Sequence, residues 1–276
     1  MLLQDRLRQL AQLIVCPCGA ARDLGRARAA SGLPVVEQGR VVEQPAELQQ
    51  PPCHSDGVLQ PGHRGSHGRE KPIIKFLEKN KIVLRYILNT HHHYDHVGGN
   101  TELKKKYNCE IIGFKGDKKR IPEIDTLVDD DQIWKKDNFE AKIFHVPGHT
   151  TGHIAFYFFK EKKIFTGDTL FSLGCGKLFE GTYEQMFNSL KKIKELPKET
   201  EIYCGHEYTL QNSNFCISQD PDNIRLKEKI LEIKKKLADN LPSIPSLLGD
   251  ELKCNIFLKA KDLKSFSKLR DLKDNF

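Results

Sequence analysis

Hydrophobic positions in residues 71–81 recur at helical spacing, with Ile73, Ile74 and Leu77 on one face, and the apolar run 83–88 that follows has the length of a buried strand. Further strands are expected at 110–114, 141–146, 153–159, 163–165 and 201–204. Thr182 and Gln185 have the spacing of a capping box ahead of Phe187, Leu190 and Ile193, which predicts a helix ending near Leu196, before Pro197. Beyond Pro221, Leu226, Ile230, Ile233 and Leu237 mark a second helix, and the rest of the chain to Phe276 shows no clear strand. Strands followed by helices imply an α/β sheet domain carrying a helical annex.

The start of the chain follows a different pattern. Before Lys71 there is no Lys, Asn, Thr, Phe, Tyr or Trp, and 8 Arg stand against 7 acidic residues. Leu3, Leu7, Leu10 and Ile14 predict a short amphipathic helix over residues 1–15, residues 35–38 repeat at 41–44 as a hairpin would, and 49–68 read as loop. Without aromatic residues this segment has little means to offset the entropy of ordering it. Three parts are therefore expected: a foreign, weakly ordered segment 1–70, a sheet domain 71–208 and a helical domain 209–276.

Composition narrows the classes. Among 276 residues no apolar run approaches the roughly 18 needed to cross a bilayer, so no membrane span is expected. The net charge of +7 favours an anionic partner. Lys and Glu interleave at helical spacing, as at Glu228, Glu232 and Lys236, which is a solvated face and argues against a nucleic-acid track. The 8 cysteines have neither a disulfide framework nor paired zinc-knuckle spacing, so they read as reduced thiols of a cytoplasmic monomer, with the mitochondrial matrix as the alternative because of the Arg-bearing start.

The chemistry lies at strand ends. The strand closing at Leu88 runs into Thr90, His91, His92, His93, Tyr94, Asp95 and His96, an HxHxDH cluster. Three more strands lead to a ligand beside a glycine: Gly148 with His149, Gly167 with Asp168, and Gly205 with His206. Five histidines and two aspartates suit two divalent cations, Zn²⁺ first, with Fe or Mn as alternatives. The assignment places one cation on His91, His93 and His149 and the other on Asp95, His96 and His206, with Asp168 bridging. Two such cations sharing a water lower its pKa from about 15.7 towards about 7, which implies hydrolysis by a bridging hydroxide held over Asp95 and Asp168. His92, His145 and His153 have no slot in this scheme and read as bystanders or supporting groups.

THHHYDHVGGN, PGHTTGH, FTGDTLF, GCGKLFEGT and GHEYT resemble the metallo-β-lactamase fold, and within it the glyoxalase II (hydroxyacylglutathione hydrolase) family, over about residues 71–276. HxHxDH alone points to the superfamily; GCGKLFEGT and the terminal run from Arg270 to Asp274 are narrower. The resemblance implies an αββα sandwich with a helical C-terminal domain, and hydrolysis of the thioester of S-(2-hydroxyacyl)glutathione in methylglyoxal detoxification. It further implies that Lys177, Phe179 and Tyr208 line a glutathione site that Arg270 and Lys273 reach from the helices, Phe179 standing where some relatives have Tyr. A persulfide dioxygenase of the same fold is one alternative. A second is a catalytically incompetent chimera that binds metal, because strands that ordinarily precede HxHxDH look replaced, which would leave the 83–88 strand without its neighbour.

Overall fold

The structure, a computed structural model, describes residues 13–15 and 70–276. The chain divides into two compact units, Met1–Gly113 with Lys118–Leu127, and Phe114–Asp117 with Val128–Phe276.

The first unit is built on a four-stranded sheet in the order β1-β2-β3-β4, from Leu13–Val15 (β1), Tyr86–Leu88 (β2), Glu110–Phe114 (β3) and Thr126–Val128 (β4). Helices α1 (Glu70–Lys79), α2 (Tyr94–Val97) and α3 (Asn100–Tyr107) accompany it. Leu77 of α1, Ile87 of β2, Leu103 of α3 and Ile111 of β3 are fully buried in one apolar cluster. β1 corrects two expectations: Leu13–Val15 is a strand and not the end of a helix, and it pairs in parallel with Tyr86–Leu88, so β2 has a neighbour on that side. Residues 1–12 and 16–69 of the segment expected to be foreign, including the hairpin at 35–44, lie outside the described residues, while Glu70 opens α1.

The second unit carries a six-stranded sheet in the order β12-β11-β8-β7-β6-β5. Its strands are β5 (Ile133–Lys136), β6 (Phe139–His145), β7 (Ile154–Phe158), β8 (Lys163–Gly167), β11 (Glu201–Cys204) and β12 (Ser246–Leu247), and a short ribbon of β9 (Leu170–Phe171) and β10 (Gly174–Cys175) follows β8. β7 is buried at every position, consistent with its central place and apolar sequence. Six helices belong to this unit: α4 (Tyr183–Lys194), α5 (Thr209–Gln219), α6 (Ile224–Ala238), α7 (Leu248–Cys254), α8 (Ile256–Lys259) and α9 (Leu263–Asp274). They cover one sheet face, where Ala155, Tyr157 and Ile164 share a core with Met186, Leu190, Phe215, Leu226, Phe257 and Phe266. The capping box forms as its spacing predicts, with the Gln185 amide N–H donating to the Thr182 hydroxyl and the Thr182 N–H to the Gln185 side chain.

Strand direction positions the chemistry. β6 and β8 are both antiparallel to β7, and β11 is parallel to β8, so all three end at the same edge of the sheet. Gly167 turns the chain there with φ +48°, a conformation that costs glycine little. The Gly205 N–H then donates to the Gly167 carbonyl at 2.8 Å, which holds the exits of β8 and β11 side by side.

Candidate metal centre

In the first unit the HxHxDH cluster forms the passage from β2 into α2. Asn89 and Asn100, both fully buried, set its course. The Asn89 amide donates to the His96 carbonyl at 3.3 Å, and the Asn100 amide donates to Asn89 Oδ1 at 2.8 Å and to the Pro122 carbonyl at 3.2 Å. On this frame His91 and His96 are fully buried, with ring centroids 4.1 Å apart, and His93 stands edge-on to His91 at 4.7 Å. Asp95 Oδ2 lies 3.5 Å from His96 Nε2. His92 turns away towards Arg120, at 3.4 Å. His91 and His93 approach one another, as do Asp95 and His96, and His91 lies nearer to His96 than to His93.

In the second unit the three strand exits bring His149, Asp168 and His206 together. His149 Nε2 lies 3.5 Å and His206 Nε2 3.1 Å from Asp168 Oδ2, and all three side chains are nearly buried. Each is fixed from behind. His149 Nδ1 lies 2.7 Å from the Lys177 carbonyl, and a carbonyl only accepts, so Nδ1 carries the proton and Nε2 of the neutral ring offers a lone pair. The His206 ring is stacked on Tyr208 at 5.1 Å, and Phe179 meets His149 edge-on at 5.2 Å. Two imidazoles and a carboxylate converging out of water are a donor set for a borderline divalent cation.

His153 is no bystander. The Asp168 N–H donates to His153 Nε2 at 3.0 Å, so the proton of that ring sits on Nδ1, which faces the Thr169 hydroxyl at 3.2 Å. That hydroxyl in turn donates to the Val146 carbonyl at 3.2 Å. The second histidine of PGHTTGH thereby orients the backbone that bears Asp168, a role visible in spacing only once β7 and β8 are known to be neighbours. Replacing His153 by Leu is expected to cost about 1–3 kcal/mol, the penalty for a buried amide that loses its acceptor. It is also expected to weaken metal binding about 10-fold. Thermal melts and chelator competition measure both, and wild-type values in both would contradict the role.

The residues expected to line a substrate site are placed as follows. Lys177 is exposed and its backbone, as above, serves His149. Phe179 is exposed and Tyr208 half-buried. Lys273 Nζ lies 5.4 Å from the Phe215 ring centroid and 5.5 Å from that of Phe276, and burial holds its pKa below the usual lysine value. Arg270 is buried on the chain itself, donating to the Cys175 carbonyl and to Asp274, both at 2.8 Å.

Comparison with known proteins follows the same division of strands and helices. A family model described as "Metallo-beta-lactamase superfamily" matches residues 58–206, and one described as "Hydroxyacylglutathione hydrolase C-terminus" matches residues 207–276. A hydroxyacylglutathione hydrolase of Pelagibacter ubique is 68% identical over 206 residues, 75% of this chain and 86% of the relative. One from Prochlorococcus marinus is 46% identical over 206 residues, 74% of this chain and 84% of the relative. Among solved structures, ETHE1 from Myxococcus xanthus has a TM-score of 0.55 at 19% identity, covering 73% of this chain and 74% of that one, and is evidence of shared fold alone. With strand-end ligands, a helical C-terminal region and relatives that match across both, the chain belongs to the hydroxyacylglutathione hydrolase family of the metallo-β-lactamase superfamily.

Proposed function

We propose that this protein hydrolyses the thioester of S-(2-hydroxyacyl)glutathione to glutathione and a 2-hydroxy acid, a step of methylglyoxal detoxification. The observation that carries this reading is 68% identity to a hydroxyacylglutathione hydrolase over 206 residues, 75% of this chain and 86% of the relative. We further assign two divalent cations, Zn²⁺ first, to the residues of these clusters: His91, His93, Asp95 and His96 in the first unit and His149, Asp168 and His206 in the second. The chemistry of the donor set supports this, since neutral imidazoles and carboxylates without thiolates suit borderline cations. When bound, such cations supply Lewis acidity to a water nucleophile and to a thioester carbonyl.

The chain's own groups do the rest. His149 presents a fixed lone pair at Nε2 because its Nδ1 proton is committed to the Lys177 carbonyl. The Asp168 carboxylate supplies negative charge beside His149 and His206 in a nearly water-free setting, where it acts strongly on a cation. The ammonium groups of Lys177 and Lys273 are assigned to the carboxylates of glutathione, by charge-assisted hydrogen bonds. The glutathione thiol has a pKa near the ordinary value of about 8.5, so it leaves as thiolate with little help from an acid. The five cysteines of the described residues are free thiols, which supports a reducing compartment such as the cytoplasm.

The test is loss of thioester absorbance from S-lactoylglutathione on addition of the Zn²⁺-loaded protein, alongside oxygen uptake with glutathione persulfide. Turnover of the thioester without oxygen uptake is expected. A metal-loaded, folded protein inert towards the thioester would overturn the reading, and oxygen uptake would transfer it to a persulfide dioxygenase.

A further inference from the structure

Five consecutive backbone carbonyls, from Phe171 to Cys175, each accept a hydrogen bond from a side chain of the C-terminal helical region. Asn255 Nδ2 donates to the Phe171 and Gly174 carbonyls at 3.3 and 3.1 Å, Asn212 Nδ2 to Ser172 at 3.1 Å, Cys216 Sγ to Leu173 at 3.0 Å, and Arg270 Nη1 to Cys175 at 2.8 Å. Glu251, fully buried, accepts from the Leu173 N–H at 2.8 Å and from the Ser172 hydroxyl at 3.2 Å. It also accepts from Asn255 Nδ2 at 3.0 Å. A buried turn must satisfy its polar backbone somewhere, and here helix side chains act as a clasp that does so.

The exit of this turn is the support of a metal ligand. After Cys175 comes Gly176, whose N–H donates to the Thr169 carbonyl at 3.2 Å, and then Lys177, whose carbonyl accepts from His149 Nδ1 at 2.7 Å. The strand-like contact continues, with the Phe179 N–H on the His149 carbonyl at 3.2 Å and the Gly181 N–H on the Gly148 carbonyl at 3.1 Å.

We infer that Asn255 is a positioning residue for the metal centre: by fixing the 171–175 turn it fixes the Lys177 carbonyl, and through it the orientation and tautomer of His149. The inference rests on the reading of His149 as a metal ligand. Asn255 suits the task because its amide bonds both carbonyls and Glu251 through Nδ2 while Oδ1 accepts from the Phe257 N–H and starts α8. An aspartate of the same shape keeps that cap and turns the donor into an acceptor facing two carbonyls and a carboxylate.

The experiment titrates Co²⁺ into the metal-free full chain, with dissociation constants from chelator competition, the visible spectrum of the bound ion, and circular dichroism to report folding. Asn255→Asp is expected to keep the helical signal, to raise the Co²⁺ dissociation constant about 10-fold and to alter the visible spectrum. Asn223→Ala is the control, since Asn223 caps α6 and bonds the Lys253 carbonyl in the same helical region without touching the turn. It is expected to lower the melting temperature and leave Co²⁺ affinity unchanged. Unchanged affinity and spectrum in folded Asn255→Asp, or an equal loss in Asn223→Ala, would overturn the proposal. Should Asn255→Asp not fold, Glu251→Gln, which removes one acceptor from the clasp at constant volume, carries the same comparison. His149→Ala separates the two readings: if it leaves Co²⁺ binding intact, the ligand assignment has failed and the proposal falls with it.

Discussion

Asp168→Ala is expected to lower kcat for S-lactoylglutathione about 10³-fold or more and to release most of the bound metal. Asp168 Oδ2 is the common neighbour of His149 Nε2 and His206 Nε2, so its loss removes negative charge from the middle of the second unit's donor set. Lewis-acid stabilisation of a hydrolytic transition state is worth several kcal/mol, and each 1.36 kcal/mol is tenfold in rate. The backbone contact to His153 survives the substitution, because it is made by the Asp168 N–H and not by the carboxylate. The melting temperature of the metal-free variant should therefore match that of the metal-free wild type, which distinguishes a lost ligand from a damaged fold. Steady-state kinetics with metal analysis check the first claim. Wild-type kcat with a full metal complement would remove Asp168 from the site.

Gly176→Ala is expected to cost at least about 10²-fold in kcat/KM although it changes no ligand. A Cβ there would lie 1.9 Å from the Asp168 carbonyl oxygen and 3.3 Å from His149 Nδ1. The first of these is backbone, which cannot swing aside as a flexible side chain does, so the turn must move away from Asp168 or push it. Overpacking of this kind costs about 1–3 kcal/mol. A ligand displaced by about 1 Å forfeits about 10²-fold in rate. Gly249→Ala is the comparison, since its Cβ would approach the Lys198 carbonyl no closer than 3.1 Å, and its kinetics are expected to be those of the wild type. Equal kinetics for the two variants would refute the argument from close approach.

Much of the candidate site was legible because its histidines and aspartates follow strands. The apolar runs ending before His91, His149, Asp168 and His206 are strong one-dimensional signals, and the last three residues each follow a glycine. α5 escaped notice for a physical reason: Leu210 is exposed, and the buried face combines Phe215 with Asn212, Ser213 and Cys216. Asn212 and Cys216 face backbone carbonyls of the 171–175 turn, so the helix buries polar groups where periodicity looks for apolar ones. Arg270 was named through the family resemblance alone, and its bond to the Cys175 carbonyl, 95 residues earlier in sequence, is a partner no local pattern reveals. β1 was read as helix because three residues, Leu13–Val15, are too few to show strand alternation against leucines at helical spacing.

The clasp around residues 171–175 also bears on the order in which the molecule forms. Its donors stand 40 to 95 positions further along the chain than the carbonyls they serve. Contacts of such separation are entropically late. During synthesis, which proceeds from the N-terminus, His149, Asp168 and His206 all emerge before α9. A nascent chain thus displays the ligands while the turn that steadies one of them still has open carbonyls. The steady presentation of His149 by the Lys177 carbonyl therefore waits on the helices that carry Asn255 and Arg270.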